Sequence, residues 1–103
     1  MASAEFGLRW MSYKLDFLES AYKEWGKLSA DIRNQFKKKL EERLTSPRVL
    51  QSKLHGAKDR YKIKLRSVGY RLVYEVIDAE IVVVVIAVGK RDRGAVYKAA
   101  EKR

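Results

Sequence analysis

The sequence predicts an α+β domain: an antiparallel four-stranded sheet packed against an N-terminal helical hairpin, with a short C-terminal helix, in the order β-αα-β-β-β-α. Three observations carry this. Two segments of helical period stand together before Pro47, and alternating or fully apolar runs follow it. The stretch Tyr61 to Tyr74 alternates apolar and charged residues about a turn, as a β-hairpin with one charged face does. Ile81 to Val88 is apolar at every position, the mark of a central strand buried on both faces.

Residues 1–10 carry no charged n-region, apolar h-region or cleavage motif, and Glu5-Phe6 is what a common cloning site encodes. They read as a vector-derived leader, and residues 11–103 as the domain. Tyr13 to Phe17 alternates as a short strand with Tyr13, Leu15 and Phe17 inward. Leu18, Ala21, Tyr22, Trp25 and Leu28 then recur at helical spacing, with Gly26 weakening the end of that helix. Trp25 reads as core. Ser29 is the N-cap, and Asp31 the first-turn acid, of a second helix with Ile32, Phe36, Leu40 and Leu44 on one face. Arg33, Lys37 and Lys38 lie elsewhere on it, and Ser46-Pro47 ends it. Arg48 to Lys58 has no clear period. It holds the one histidine, His55, which reads as a surface loop residue because no acid–base partner accompanies it.

In the hairpin, Tyr61, Ile63 and Leu65 point one way and Lys62, Lys64 and Arg66 the other. On the return strand Tyr70, Leu72, Tyr74 and Val76 form the apolar set, opposite Arg71, Val73 and Glu75. A slip of one residue would set one strand's apolar side chains among the other's charges, so the loop runs from Arg66 to Gly69 and Leu65 faces Tyr70. Lys64 then stands beside Arg71. Lysines two apart on a strand are ~6.5–7 Å apart, with the arginine across the ladder at ~5 Å. The cluster is phosphate-sized. Ile77 to Glu80 turns the chain into the central strand. A basic loop, Gly89 to Gly94, leads to a helix from Val96 to Lys102 that contains Tyr97.

The chain has 103 residues, a net charge of +10 and no cysteine. That is one small domain with a polyanionic partner, nucleic acid or an acidic protein, and without a disulfide framework or thiolate chemistry. No stretch approaches the ~20 apolar residues that span a bilayer, so no membrane role is expected and a cytoplasmic location fits. The acids Asp59, Glu75, Asp78, Glu80 and Asp92 lack metal-ligand spacing, so neither a metal nor another cofactor is expected.

From Met11 onward the chain resembles the RelE toxins of bacterial toxin–antitoxin pairs, within the RelE/ParE superfamily. The resemblance rests on Phe36-Lys37-Lys38-Lys39-Leu40, Ser46-Pro47-Arg48, Lys53-Leu54, Tyr61 to Ser67, Gly69 to Tyr74, and Val88-Gly89-Lys90-Arg91 followed by Val96-Tyr97. It implies a sheet with the last strand central, cleavage of messenger RNA in the ribosomal A site, and neutralisation by a RelB-like antitoxin that covers or displaces the last helix. It assigns catalysis to Lys62, Lys64, Arg71, Arg91 and Tyr97. Lys37, Lys38, Lys39, Arg66, Lys90 and Arg93 are the candidates for contact with messenger or ribosomal RNA. Two positions depart from the pattern: His55 stands where relatives often carry arginine, and Gly94 where serine is common.

RNA brings its own nucleophile, the 2′-hydroxyl. A nuclease then needs a base, charge on the phosphorane and relief at the leaving oxygen. Crowding among cations lowers a lysine's pKa, and Lys64, facing Arg71, is the preferred base. Arg71 suits bidentate phosphate contact. Arg91 goes by resemblance to the leaving-group side, and Tyr97 either stacks on a base or carries a proton. Two other readings stand beside this: a non-enzymatic ParE-like toxin that inhibits gyrase, whose relatives generally lack this cationic set, and a plain nucleic-acid-binding module.

Overall fold

The strands are β1 (Lys14–Phe17), β2 (Arg60–Leu65), β3 (Tyr70–Ile77) and β4 (Val82–Lys90), and the helices α1 (Glu19–Gly26), α2 (Ala30–Thr45) and α3 (Ala95–Glu101). This is the expected element order. The computed structural model describes residues 12–103, so the leader reading and Met11 lie outside the described residues. Among those residues no helix is long and apolar enough to cross a membrane.

The sheet order is β1-β4-β3-β2. Strands β2, β3 and β4 meander antiparallel, but β1 pairs with β4 in parallel, Lys14 opposite Val82 and Phe17 opposite Val85. The sheet is therefore mixed rather than antiparallel throughout. Alternation marks a strand and its buried face but not its direction. Here direction follows from the route: the helical hairpin carries the chain to the far edge, and the meander returns β4 alongside β1.

The α1–α2 hairpin covers one face of the sheet. Trp25, Ile32, Phe36 and Leu40 join Tyr61, Ile63, Leu72, Tyr74, Val83 and Val85 in the main core. The Ser29 hydroxyl accepts the Ile32 N–H at 3.3 Å, which is the predicted cap. Two inward assignments are corrected. Tyr22 is 64 % exposed and meets Phe17 edge-on, because α1 is short and turns only Ala21 and Trp25 fully inward. Leu15 is 37 % exposed, in the middle of a four-residue edge strand.

The opposite face is not left wholly to solvent or ligand. Val73, Ile86, Ala87, Val96 and Ala100 form a second, smaller core beneath α3. A bulge makes this possible: Val73 pairs with Ala87 but Tyr74 with Val85, so Ile86 is the extra residue. Val83 and Val85 face the helical hairpin before the bulge and Val88 does so after it, while Ile86 and Ala87 both serve the α3 side. Because β1 ends at Phe17, this part of β4 lacks a strand neighbour on that side. Side chains supply the missing partners: Glu24 accepts the Val88 N–H at 3.1 Å, and Arg103 donates to the Ile86 carbonyl at 2.9 Å. Arg103 also grips the Glu24 carboxylate through two bonds of 3.0 Å. The pair ties the end of α3 to α1 across the bulge.

Candidate active site

The hairpin register is the one alternation requires, with Leu65 opposite Tyr70, Lys64 opposite Arg71 and Lys62 opposite Val73. Gly69, at φ 72°, closes the turn and donates its N–H to the Leu65 carbonyl at 2.9 Å. The Gly69 carbonyl accepts the Arg91 N–H at 2.6 Å. That bond stitches the loop after β4 to the hairpin turn. Lys64, Arg71, Arg91 and Tyr97 consequently surround one concavity of about 160 Å³, together with Lys90 and Asp92. Four of the five predicted catalytic side chains meet there. Lys62 lies one step back along β2, in an adjoining groove of about 300 Å³ that Lys64 also borders.

Arg71 is the buried charged residue of the described chain, 7 % exposed. Its Nη1 donates to the Tyr70 carbonyl at 3.0 Å, and among the described residues it makes no ion pair, although Asp92 borders the same concavity. Among the described residues the ion pairs are Arg48 with Asp59 and Asp78, Arg60 with Glu75, and Arg103 with Glu24. None involves the cations of the concavity. Taking a charge from water costs several kcal/mol unless an opposite charge compensates it. Lys64, Arg71, Lys90 and Arg91 border the concavity against one acid, Asp92, so the site carries an excess of positive charge. The charge of Lys62 above all, then partial burial, Arg66 and Arg71, hold the Lys64 ammonium below its ordinary pKa.

Tyr97 is half-buried, and its hydroxyl is enclosed without a hydrogen-bond partner among the described residues. It stands between the cationic concavity and a smaller one of about 110 Å³ bordered by Leu54, His55 and Arg60. His55 is an exposed loop residue on that other side of Tyr97. Arg91 and Arg93 are exposed. Arg93 takes φ 50° and Gly94 φ 74°, and Gly94 precedes α3 with no side-chain cap, the Ala95 N–H going instead to the Asp92 carbonyl. Arg66 lies in the hairpin turn and joins the groove. Lys37, Lys38 and Lys39 are exposed on α2, away from Phe36 and Leu40, and are not part of this cluster. Lys37 and Lys38 share a depression with Asp31 and Glu41.

Sequence reasoning missed Arg43. Its Nη1 donates to the Tyr74 hydroxyl at 2.8 Å and the Lys62 carbonyl at 3.3 Å, and its Nη2 to the Ser52 hydroxyl at 3.3 Å. A signal existed: Arg43 is seven residues after Phe36, on the apolar stripe of α2, where a cation needs a specific partner.

Residues 15–94 match the family described as the ParE toxin of the type II toxin-antitoxin system, parDE. The mRNA interferase toxin RelE of Escherichia coli K12 is 61 % identical over 93 residues, 90 % of this chain and 98 % of that protein. The chain belongs to the RelE-type toxins of the RelE/ParE superfamily. A solved mutant of the E. coli toxin RelE in the free state superposes with a TM-score of 0.84 at 59 % identity, covering 90 % of this chain and 98 % of the other. The toxin in the intact E. coli RelBE toxin–antitoxin complex gives 0.76 at 61 % identity, covering 80 % and 100 %.

Proposed function

We propose that this RelE-type toxin is a metal-independent endoribonuclease that cuts messenger RNA in the ribosomal A site, blocks translation in the bacterial or archaeal cytoplasm, and is neutralised by a RelB-like antitoxin. The observation that carries the reading is the buried guanidinium of Arg71, without an ion pair among the described residues, beside Lys64 in a concavity where cations outnumber acids. A scissile phosphate supplies an opposing charge, and the trigonal-bipyramidal phosphorane, more negative still, is held more tightly than the ground state.

Lys64, in its neutral form, takes the proton of the 2′-hydroxyl. The 2′-oxygen then attacks phosphorus, the bond to the 5′-oxygen breaks, and that oxygen takes a proton from water, while the Lys64 ammonium returns its proton to solvent. The products are a 2′,3′-cyclic phosphate and a 5′-hydroxyl. Lys62 keeps Lys64 deprotonatable by like-charge repulsion. Arg91 rarely gives up a proton, so its part is charge stabilisation on the leaving side. The enclosed hydroxyl of Tyr97 suits a ring that stacks on a codon base better than a proton carrier.

Weakly tuned acid and base groups make poor chemistry on free RNA. The ribosome orients the 2′-oxygen for in-line attack, a positioning effect worth several kcal/mol. Lys37, Lys38, Lys39, Arg66, Lys90 and Arg93 supply contacts to messenger or ribosomal RNA phosphates. The test compares the same messenger on programmed ribosomes and naked. Cleavage on ribosomes alone is expected; equal cutting of naked RNA, or no cutting with inhibition of gyrase supercoiling instead, refutes the reading in favour of a free nuclease or a ParE-like toxin.

A further inference from the structure

We propose that the groove beside the candidate active site, built by Arg43, Gln51, Ser52, Lys62 and Arg66, is a second phosphate subsite that grips the messenger one nucleotide away from the scissile phosphate. It rests on the nuclease reading above. The groove measures about 300 Å³ and shares Lys64 with the 160 Å³ concavity, so the two are continuous along β2. Lys62 and Lys64 repeat along that strand every ~6.5–7 Å, comparable to the step between successive phosphates of an extended RNA strand. One phosphate at Arg71 therefore sets its neighbour opposite Lys62.

The groove floor is built in advance of any ligand. Arg43 is half-buried and fixed by bonds to the Tyr74 hydroxyl, the Lys62 carbonyl and the Ser52 hydroxyl, with its guanidinium 5.7 Å from the Tyr74 ring centre. All three acceptors are neutral. Tyr74 stays so because burial raises its pKa, and its own hydroxyl donates to the Pro47 carbonyl at 2.6 Å. The positive charge of Arg43 is thus oriented and, among the described residues, has no ion pair, and no acid lines its groove. Ser52 accepts from Arg43, which frees its hydroxyl hydrogen to donate outward. The Gln51 side chain, exposed at the rim, adds two N–H donors. Cations with fixed geometry and outward neutral donors are what a phosphodiester needs.

Exposed Gln51 permits variants without a folding cost. Binding is read on ribosomes programmed with a messenger carrying 2′-deoxyribose at the cleavage position, so the subsite is measured without chemistry. Gln51→Glu should weaken half-saturation about tenfold and Gln51→Lys should strengthen it, with circular dichroism unchanged. A single methylphosphonate beside the scissile linkage should weaken the wild-type chain similarly on one flank, and Gln51→Glu should then cost nothing more. Unaltered binding by both variants overturns the subsite. Losses that add fully to methylphosphonate on either flank also overturn it, because the phosphate would then belong to ribosomal RNA. A wild-type chain that shows the flanking dependence but never cuts the all-ribose messenger refutes the nuclease reading while the subsite stands.

Discussion

Replacing Arg71 by alanine separates a catalytic charge from a structural one. Arg71 is 7 % exposed, makes one bond to the Tyr70 carbonyl and has no ion pair among the described residues. Losing that bond removes ~1.5–3 kcal/mol of charge-assisted hydrogen bonding, but it also relieves a desolvated charge and its repulsion of Lys64, terms of similar size and opposite sign. The net change in folding stability is within ~1 kcal/mol, a shift of no more than ~4–8 °C in Tm for a domain of this length. The chemical step loses a donor aimed at the developing charge, which costs ~10²-fold or more in rate. Single-turnover cleavage at saturating toxin on programmed ribosomes, measured beside thermal melts, reads both. A near-normal saturated rate makes Arg71 a binding residue and the site misplaced. A fall in Tm well beyond ~10 °C makes it a structural one.

Three further outcomes follow from named contacts. Lys62→Met removes the largest of the charges that lower Lys64, so the rising limb of the pH–rate profile should move to higher pH; an unmoved limb excludes Lys64 as the base. Lys37→Ala, on α2 away from the cluster, should leave the saturated rate intact and reduce the salt dependence of ribosome association by about one charge's share; a lower saturated rate contradicts the placement. Burial raises the Glu24 pKa, but the bonds from Arg103 and the Val88 N–H outweigh it and leave the group below its ordinary value. The stability Glu24 contributes is therefore present above ~pH 4.3 and is lost as pH falls through the depressed value. Glu24→Gln should mimic that acid loss at neutral pH, with α3 amides exchanging faster than those of β3; uniform exchange refutes the tie between α1 and α3.

The hairpin was legible because its register is forced. With apolar and charged residues alternating on both strands, one pairing alone keeps Tyr61 and Ile63 with Leu72 and Tyr74, and Lys64 beside Arg71 follows. The parallel pairing of β1 was not legible, since Tyr13 to Phe17 reads the same in either direction. The bulge at Ile86 was hidden by the central strand itself: a run that is apolar at every position shows no change of phase when a residue is inserted. Without the bulge the second core beneath α3 could not be foreseen, nor could the enclosure of the Tyr97 hydroxyl. Gln51 and Ser52 fall in an aperiodic segment, and only their place beside Lys62 connects them with the site.

The central claim is that the messenger's own 2′-oxygen is the nucleophile, driven by cations alone. Its most direct measurement is single-turnover cleavage on ribosomes programmed with two messengers that differ by one oxygen, ribose or 2′-deoxyribose at the cleavage position, in EDTA at ribosome-sparing magnesium. The ribose messenger should be cut to a 2′,3′-cyclic phosphate and a 5′-hydroxyl, and the deoxy messenger should be bound but left intact. Cutting of the deoxy messenger, or products that carry a 5′-phosphate, would mean that water attacks and would contradict the account.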